Sequence, residues 1–337
     1  MKTKNKINQS SLVSSKECLK GRKYKVCKRS VENMGKKPNI KSSQVHAYAY
    51  ILKELKEKKG WQKNKIYTQQ ECLEHEEFKK CFDKKHPENI VEIDEKRYYL
   101  IEAENERKKL EQALSDAREY YSDKFNKVSK AKVLFVTGIA GNNKEGYIAK
   151  SQYLKNGKWE TIIENEAEVT GLLSKQQIEM ILSTNDSSIK DVEISEEEFL
   201  KTAESINDTL HENSIEKSYR ARFISAILLS MSDGKDIDVT QDTLVLINTI
   251  NTKVEVILTK HEKREFSRFI KIDEPSNADN HFKIKEAIVK TYQALYGLNI
   301  RSAMRSGKDV LGKFYEVFLK YGNGAKEIGI VLTPRHI

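Results

Sequence analysis

The chain of 337 residues carries 60 Lys/Arg against 50 Asp/Glu, a formal net charge of +10, with 38% hydrophobic and 33% charged residues. No apolar run approaches the roughly 18 residues of a membrane span, and the lysine-rich start lacks the apolar core of a secretion signal. Four cysteines are too few for a disulfide framework at this length, so composition points to a cytoplasmic protein of about two domains, without membrane association.

Residues 1–42 read as a basic, unstructured arm. Through Lys41 they hold 13 Lys/Arg against only Glu17 and Glu32, so the arm contains the whole positive excess of the chain. Lys20, Arg22, Lys23, Lys25, Lys28 and Arg29 are its densest run and the candidate DNA-phosphate contacts, with salt-dependent affinity as the expectation. Val45 to Lys59 repeats Tyr48, Ile51, Leu52 and Leu55 at helical spacing, with Gly60 placed to end the helix. Thr68-x-x-Glu71 is a capping box that predicts a second helix to about Phe82. Cys72, His75, Cys81 and His86 lie near one another there, but their intervals are not those of a Cys-x2-Cys zinc knuckle.

Two β-prone runs, Asn89–Ile93 and Arg97–Ile101, flank Asp94-Glu95-Lys96 and predict a hairpin with a three-residue turn. In that register Ile93 pairs with Arg97, Glu88 falls opposite Glu102, and Glu104 shares their face two residues on. Three carboxylates converging in this way would suit Mg²⁺, a hard cation that takes oxygen ligands and activates water. After the hairpin, Asn105 is a candidate cap for a helix whose Leu110, Ala113, Leu114, Ala117, Tyr120 and Tyr121 form one face. Lys132–Gly138 (Lys-Val-Leu-Phe-Val-Thr-Gly) carries a continuous apolar run, as in a strand buried on both faces, and Asn156-Gly157 marks a type I′ hairpin between two further strands. Residues 43–190 therefore predict an α/β domain. Ser174-x-x-Gln177 and Ser195-x-x-Glu198 are capping boxes, and helical stripes follow at 215–231, 242–262, 282–296 and 308–321. Residues 191–321 thus predict an all-α connector, with a loop or hinge at 273–280 around Pro275. No Gly-x-Gly-x-x-Gly, P-loop or Gly-x-Ser-x-Gly string occurs; Gly138-Ile-Ala-Gly141 lacks the Lys-Ser/Thr ending of a phosphate loop.

Asp309, Leu311, Gly312, Tyr315, Glu316 and Phe318, then Thr333, Pro334 and Ile337, form a pattern that resembles the segment leading into the catalytic domain of N6-adenine DNA methylases. The family occurs in type I and fused restriction-modification systems. The resemblance implies that 322–337 open a methylase domain whose S-adenosylmethionine site and Asn/Asp-Pro-Pro-Tyr motif are not in this chain, which has no Pro-Pro. Methylation by these residues alone is not expected, and S-adenosylmethionine enters only if that domain is supplied. Pro87-Glu88 followed by Glu102-Ala103-Glu104 resembles the PD-(D/E)xK nuclease core, with an acid at the start of one strand, a Glu-x-Lys on the next and a helix after it. That resemblance implies a mixed sheet flanked by helices, Glu88, Glu102 and Glu104 as metal ligands, Glu102 and Glu104 as catalytic groups, and Mg²⁺ as cofactor. The chain departs from the pattern where Glu104 replaces the lysine and Asp116 replaces the glutamine of a Gln-x-x-x-Tyr element, although Tyr120 is kept. Double-stranded DNA and a separate methylase or specificity polypeptide are the implied partners. A self-sufficient Mg²⁺-dependent nuclease and a non-catalytic DNA-binding or assembly module are the alternatives.

Overall fold

The structure, a computed structural model, describes residues 42–314 apart from 83, 84, 191, 193, 307, 308 and 311. The arm residues Lys20, Arg22, Lys23, Lys25, Lys28 and Arg29 lie outside the described residues, as do Leu311 and the motif from Tyr315 to Ile337.

Helix α1 (Ser42–Glu57) sets Ala47, Ile51 and Leu55 at four-residue intervals, and all three are buried. Strand β1 (Ile66–Thr68) leads into α2 (Gln69–Glu74), where Thr68 and Glu71 complete a reciprocal capping box. The helix expected to run on to Phe82 breaks at His75, whose backbone is extended, and α3 (Glu76–Cys81) starts afresh. The His75 ring stacks on Phe78 at 4.1 Å and meets Tyr67 edge-on, so aromatic packing sets the break.

β2 (Asn89–Asp94) and β3 (Arg97–Glu104) form the expected hairpin, but with a two-residue turn, Glu95-Lys96. Asp94, not Ile93, pairs with Arg97, and a bulge at Ile93 absorbs the extra residue. From Glu92↔Tyr98 onward the register is regular, reaching Asn89↔Ile101. One long helical stretch follows: α4 (Leu110–Ser115), a π-helical segment at Asp116–Ser122, and α5 (Asp123–Val128). It carries the chain over the sheet to β4 (Lys132–Asn142), which lies parallel to β3. β5 (Gly146–Lys155) and β6 (Lys158–Thr161) complete a mixed six-stranded sheet in sequential order. Their turn residues Asn156 and Gly157 both have positive φ, 51° and 78°, as a type I′ turn requires.

The alternation along β3 divides the core. Tyr98 and Leu100 pack with Ile90 and Val136 beneath Leu114, Ala117, Tyr121 and Phe125. Tyr99, Ile101 and Ala103 pack on the other face with α1 and with Ile178 and Ile181 of a later helix. The sheet is thus a layer between two helical layers.

β7 (Ile163–Glu164), β8 (Ala167–Glu168) and β9 (Ser188–Ile189) form a small sheet, and between β8 and β9 the chain runs through α6 (Lys175–Thr184), which begins at the Ser174/Gln177 capping box. Then come α7 (Glu196–Glu212), α8 (Lys217–Met231), α9 (Thr243–Lys260), α10 (Ala278–Gly297) and α11 (Ile300–Arg305). They share a core of Ala203, Ile206, Phe223, Ile227, Ile247, Ile250, Ile288 and Leu295. The loop at 273–280, expected as a hinge, is tied down at its start: Arg222 binds Asp273 at 2.6 Å and the Asp273 N–H donates to the Tyr219 hydroxyl.

The helical half is docked on the sheet rather than strung behind it. The buried Lys59 ammonium pairs with Glu198 of α7 at 2.7 Å and donates to the Gly297 carbonyl at 2.9 Å. The Thr170 hydroxyl donates to the Tyr296 carbonyl at 2.7 Å. Gln293 of α10 donates to the Tyr50 hydroxyl and accepts from the Tyr147 backbone N–H, beneath stacked Tyr50 and Tyr147 rings 4.2 Å apart. Val310 and Phe314 enter the helical core, with Phe314 against Phe199 at 4.4 Å. Asp309 caps this last helical stretch by accepting from the Gly312 N–H at 2.7 Å. A Cβ at Gly312 would lie 2.1 Å from that carboxylate, so a larger residue there would have to displace the Asp309 side chain from its cap.

Candidate functional site

The hairpin register brings Glu88 and Glu102 together. The residues next along the ladder, Asn89 and Ile101, are partners, and the Glu88 N–H donates to the Glu102 carboxylate at 3.1 Å. Both lie at the end of the sheet face that the α4–α5 stretch covers. Glu88 is buried, and burial pushes its carboxyl up to about 7. Glu102, half-buried, is held well above the usual carboxylate range, first by loss of hydration and then by the charge of Glu88; the Glu88 N–H pulls the other way. Asp116 and then Glu104 add smaller upward pushes. The result is an acidic pair that keeps protons to unusually high pH unless a cation or a donor joins it.

Glu104 stands two residues along the same strand and is turned to Lys109, whose ammonium is 3.5 Å away. Lys109 also pairs with Glu106 at 3.1 Å. Asp116 belongs to the π-helical segment and accepts from the Gln112 amide at 2.8 Å. The Tyr121 hydroxyl is pushed up by burial first and by Glu102, Asp116 and Glu88 among its charged neighbours, so it borders the same acids. It donates to the His86 carbonyl at 3.3 Å, at the entrance to β2.

One basic residue on this face escapes sequence reading. Glu102 pairs across the sheet with Gly138 of β4, and Gly138 pairs with Lys150 of β5, so the three positions form one row on one face. The gap at Gly138 is filled by α4: a Cβ there would meet the Leu114 backbone N at 2.5 Å. Lys150 reaches Glu111 of that helix at 3.3 Å. Only the strand order, which no local pattern encodes, links residues 102 and 150.

The donor chemistry of the acidic pair suits a hard divalent cation, but its geometry gives an incomplete ligand set. Among the described residues, no three His, Cys, Asp or Glu side chains are disposed to hold one metal ion. The residues as arranged therefore do not fit a three-carboxylate Mg²⁺ site, and no chemical step is assigned through the metal. In the Cys72, His75, Cys81 and His86 group both thiols are buried, and burial pushes each up, away from the thiolate that zinc requires.

No protein-family model, curated protein or solved structure matches the chain.

Proposed function

We propose that the chain is a DNA-engaging part of a restriction-modification protein of the N6-adenine methylase kind, with a nuclease-like α/β domain and a helical half seated on it. The observation that carries this reading is the juxtaposition of Glu88 and Glu102 at one end of a mixed sheet, under the helical stretch that follows their hairpin. It supports the PD-(D/E)xK resemblance, in which an acid at one strand start faces an acid of the next strand and a helix packs after it. The parallel β3–β4 pair and the α4–α5 crossover support the same resemblance. The Asp309-to-Gly312 cap supports the methylase-leader resemblance by giving two of its residues a joint role. Methyl transfer is not assigned to these residues, which have no Pro-Pro to hold an extruded adenine.

The leading reading is DNA binding without cleavage, because Glu104 is paired with Lys109 and the acids do not make a complete ligand set. A Mg²⁺-dependent endonuclease is the second reading, favoured by the burial of Glu88 and Glu102 and by the upward push of the Glu88 charge on Glu102, which a bound cation would relieve. Duplex binding followed by fluorescence anisotropy across a salt series, with Mg²⁺ or EDTA, tests the first. Binding should survive EDTA and fall steeply with salt. Plasmid nicking in Mg²⁺ that Glu102→Ala abolishes, with duplex binding retained, would establish the second reading instead. Failure of the full chain to bind duplex DNA would overturn both.

A further inference from the structure

Beside the acidic pair, the π-helical segment turns one aromatic ring outward. Consecutive side chains on a helix diverge by roughly 100°, and here Tyr121 is buried against the sheet while Tyr120 is 44% exposed. The two rings are perpendicular at 4.9 Å, so the buried ring buttresses the exposed one. Two ammonium groups lie by the exposed ring, Lys85 from the segment before β2 and Lys124 from α5, each 6.0 Å from its centroid. Lys85 has no carboxylate partner among the described residues.

We infer that Tyr120, with Lys85 and Lys124, is a stacking platform for an unpaired DNA base, and that the two lysines take the phosphates flanking that base. This deepens the DNA-engaging reading above and rests on it. A flat ring that is 44% exposed can accept any base by its π face once the ammonium groups over it swing to the strand, whose phosphates they then neutralise. A peptide side chain would gain little from two cations placed so close together, whereas a polyanion with one aromatic group per charge matches both features. Through Tyr121 the platform adjoins Glu102 and Glu88. A stacked base would thus bring its own backbone towards the acidic pair, making the platform a means of registering a frayed or unpaired strand beside it.

The test uses the full chain and fluorescein-labelled oligonucleotides: oligothymidine, the same length carrying abasic sites, and a blunt duplex. Anisotropy titrations at fixed salt compare the wild type with Tyr120→Ala, Tyr120→Trp and Lys85→Gln/Lys124→Gln, and circular dichroism verifies that each variant is folded. Tyr120→Ala should weaken oligothymidine binding by roughly 5- to 100-fold, the loss expected of one stacked base. Tyr120→Trp should keep the affinity, and the abasic strand should bind wild type and Tyr120→Ala alike. The lysine double variant should lower the slope of log affinity against log salt by about 1.4, for two single-strand phosphates. Unchanged oligothymidine binding by Tyr120→Ala, with duplex binding intact, would overturn the platform and leave the DNA-engaging reading standing. No binding to any of the three DNAs would overturn both.

Discussion

Glu88→Gln should make the protein more stable at neutral and alkaline pH and leave it unchanged in acid. The carboxyl is buried and its ionisation is pushed from 4.5 up to about 7 by loss of hydration. The folded state therefore holds the proton more tightly than the unfolded chain. Between those two values the folded state binds more protons, so the stability Glu88 contributes is fully present below about 4.5 and is lost as pH rises through about 7. At roughly 1.4 kcal/mol per unit, the loss amounts to about 3 kcal/mol by pH 8. Glutamine keeps the volume and the hydrogen-bonding capacity without ionising, so the variant escapes that loss. Relief of repulsion at Glu102 adds to the gain with the same sign. Urea unfolding followed by circular dichroism, from pH 4.5 to 8.5, should show coincident midpoints in acid and a divergence of about 1 M at pH 8. A constant difference between variant and wild type across that range, or a less stable variant at pH 8, would refute the reasoning. Adding Mg²⁺ at pH 8 gives a control for the endonuclease reading: a cation at the pair would raise the wild-type midpoint and not that of the variant.

Gly138→Ala should cost roughly 2–3 kcal/mol in the same urea assay, because its Cβ would press on the Leu114 backbone, which cannot swing aside as a side chain end would. Lys59→Met strands the Glu198 carboxylate in a buried seam and should cost about 3 kcal/mol, whereas Lys59→Met/Glu198→Leu should recover most of it. Thr68→Ala removes the capping box of α2 and should lower stability by about 1 kcal/mol, with faster amide exchange confined to Gln69–Glu74.

The parts of this fold that were legible in the sequence are those set by a few neighbouring residues. Asn156-Gly157 specifies its turn because both positions need positive φ, and Ser174 with Gln177 specifies a helix start because the two side chains satisfy orphan N–H groups. The hairpin was legible in its far register although its turn is one residue shorter than expected: the bulge at Ile93 restores the pairing before Glu92, so Glu88 still meets Glu102. Where the reading failed, a longer-range contact won over a local pattern. The capping box at Thr68 starts a helix, but the stacking of His75 on Phe78 and its edge contact with Tyr67 end it early. The stripe from Leu110 counted Tyr120 and Tyr121 on one face, but consecutive helical residues diverge by roughly 100°, and only Tyr121 is buried while Tyr120 is 44% exposed. Lys150 enters the row of Glu102 only through two strand pairings, and Lys59 finds Glu198 at 139 residues' distance. No periodicity or motif carries such pairings.

The seam formed by Lys59, Thr170 and Gln293 also constrains how this chain changes over generations. Recombination that exchanged either half for an unrelated sequence would leave a buried ammonium without its carboxylate, and a hydroxyl and a backbone amide facing partners of the wrong shape. An exchange that kept the fold would therefore have to carry both halves together, whereas a change at an outward position such as Phe282, 71% exposed on α10, would leave the seam untouched.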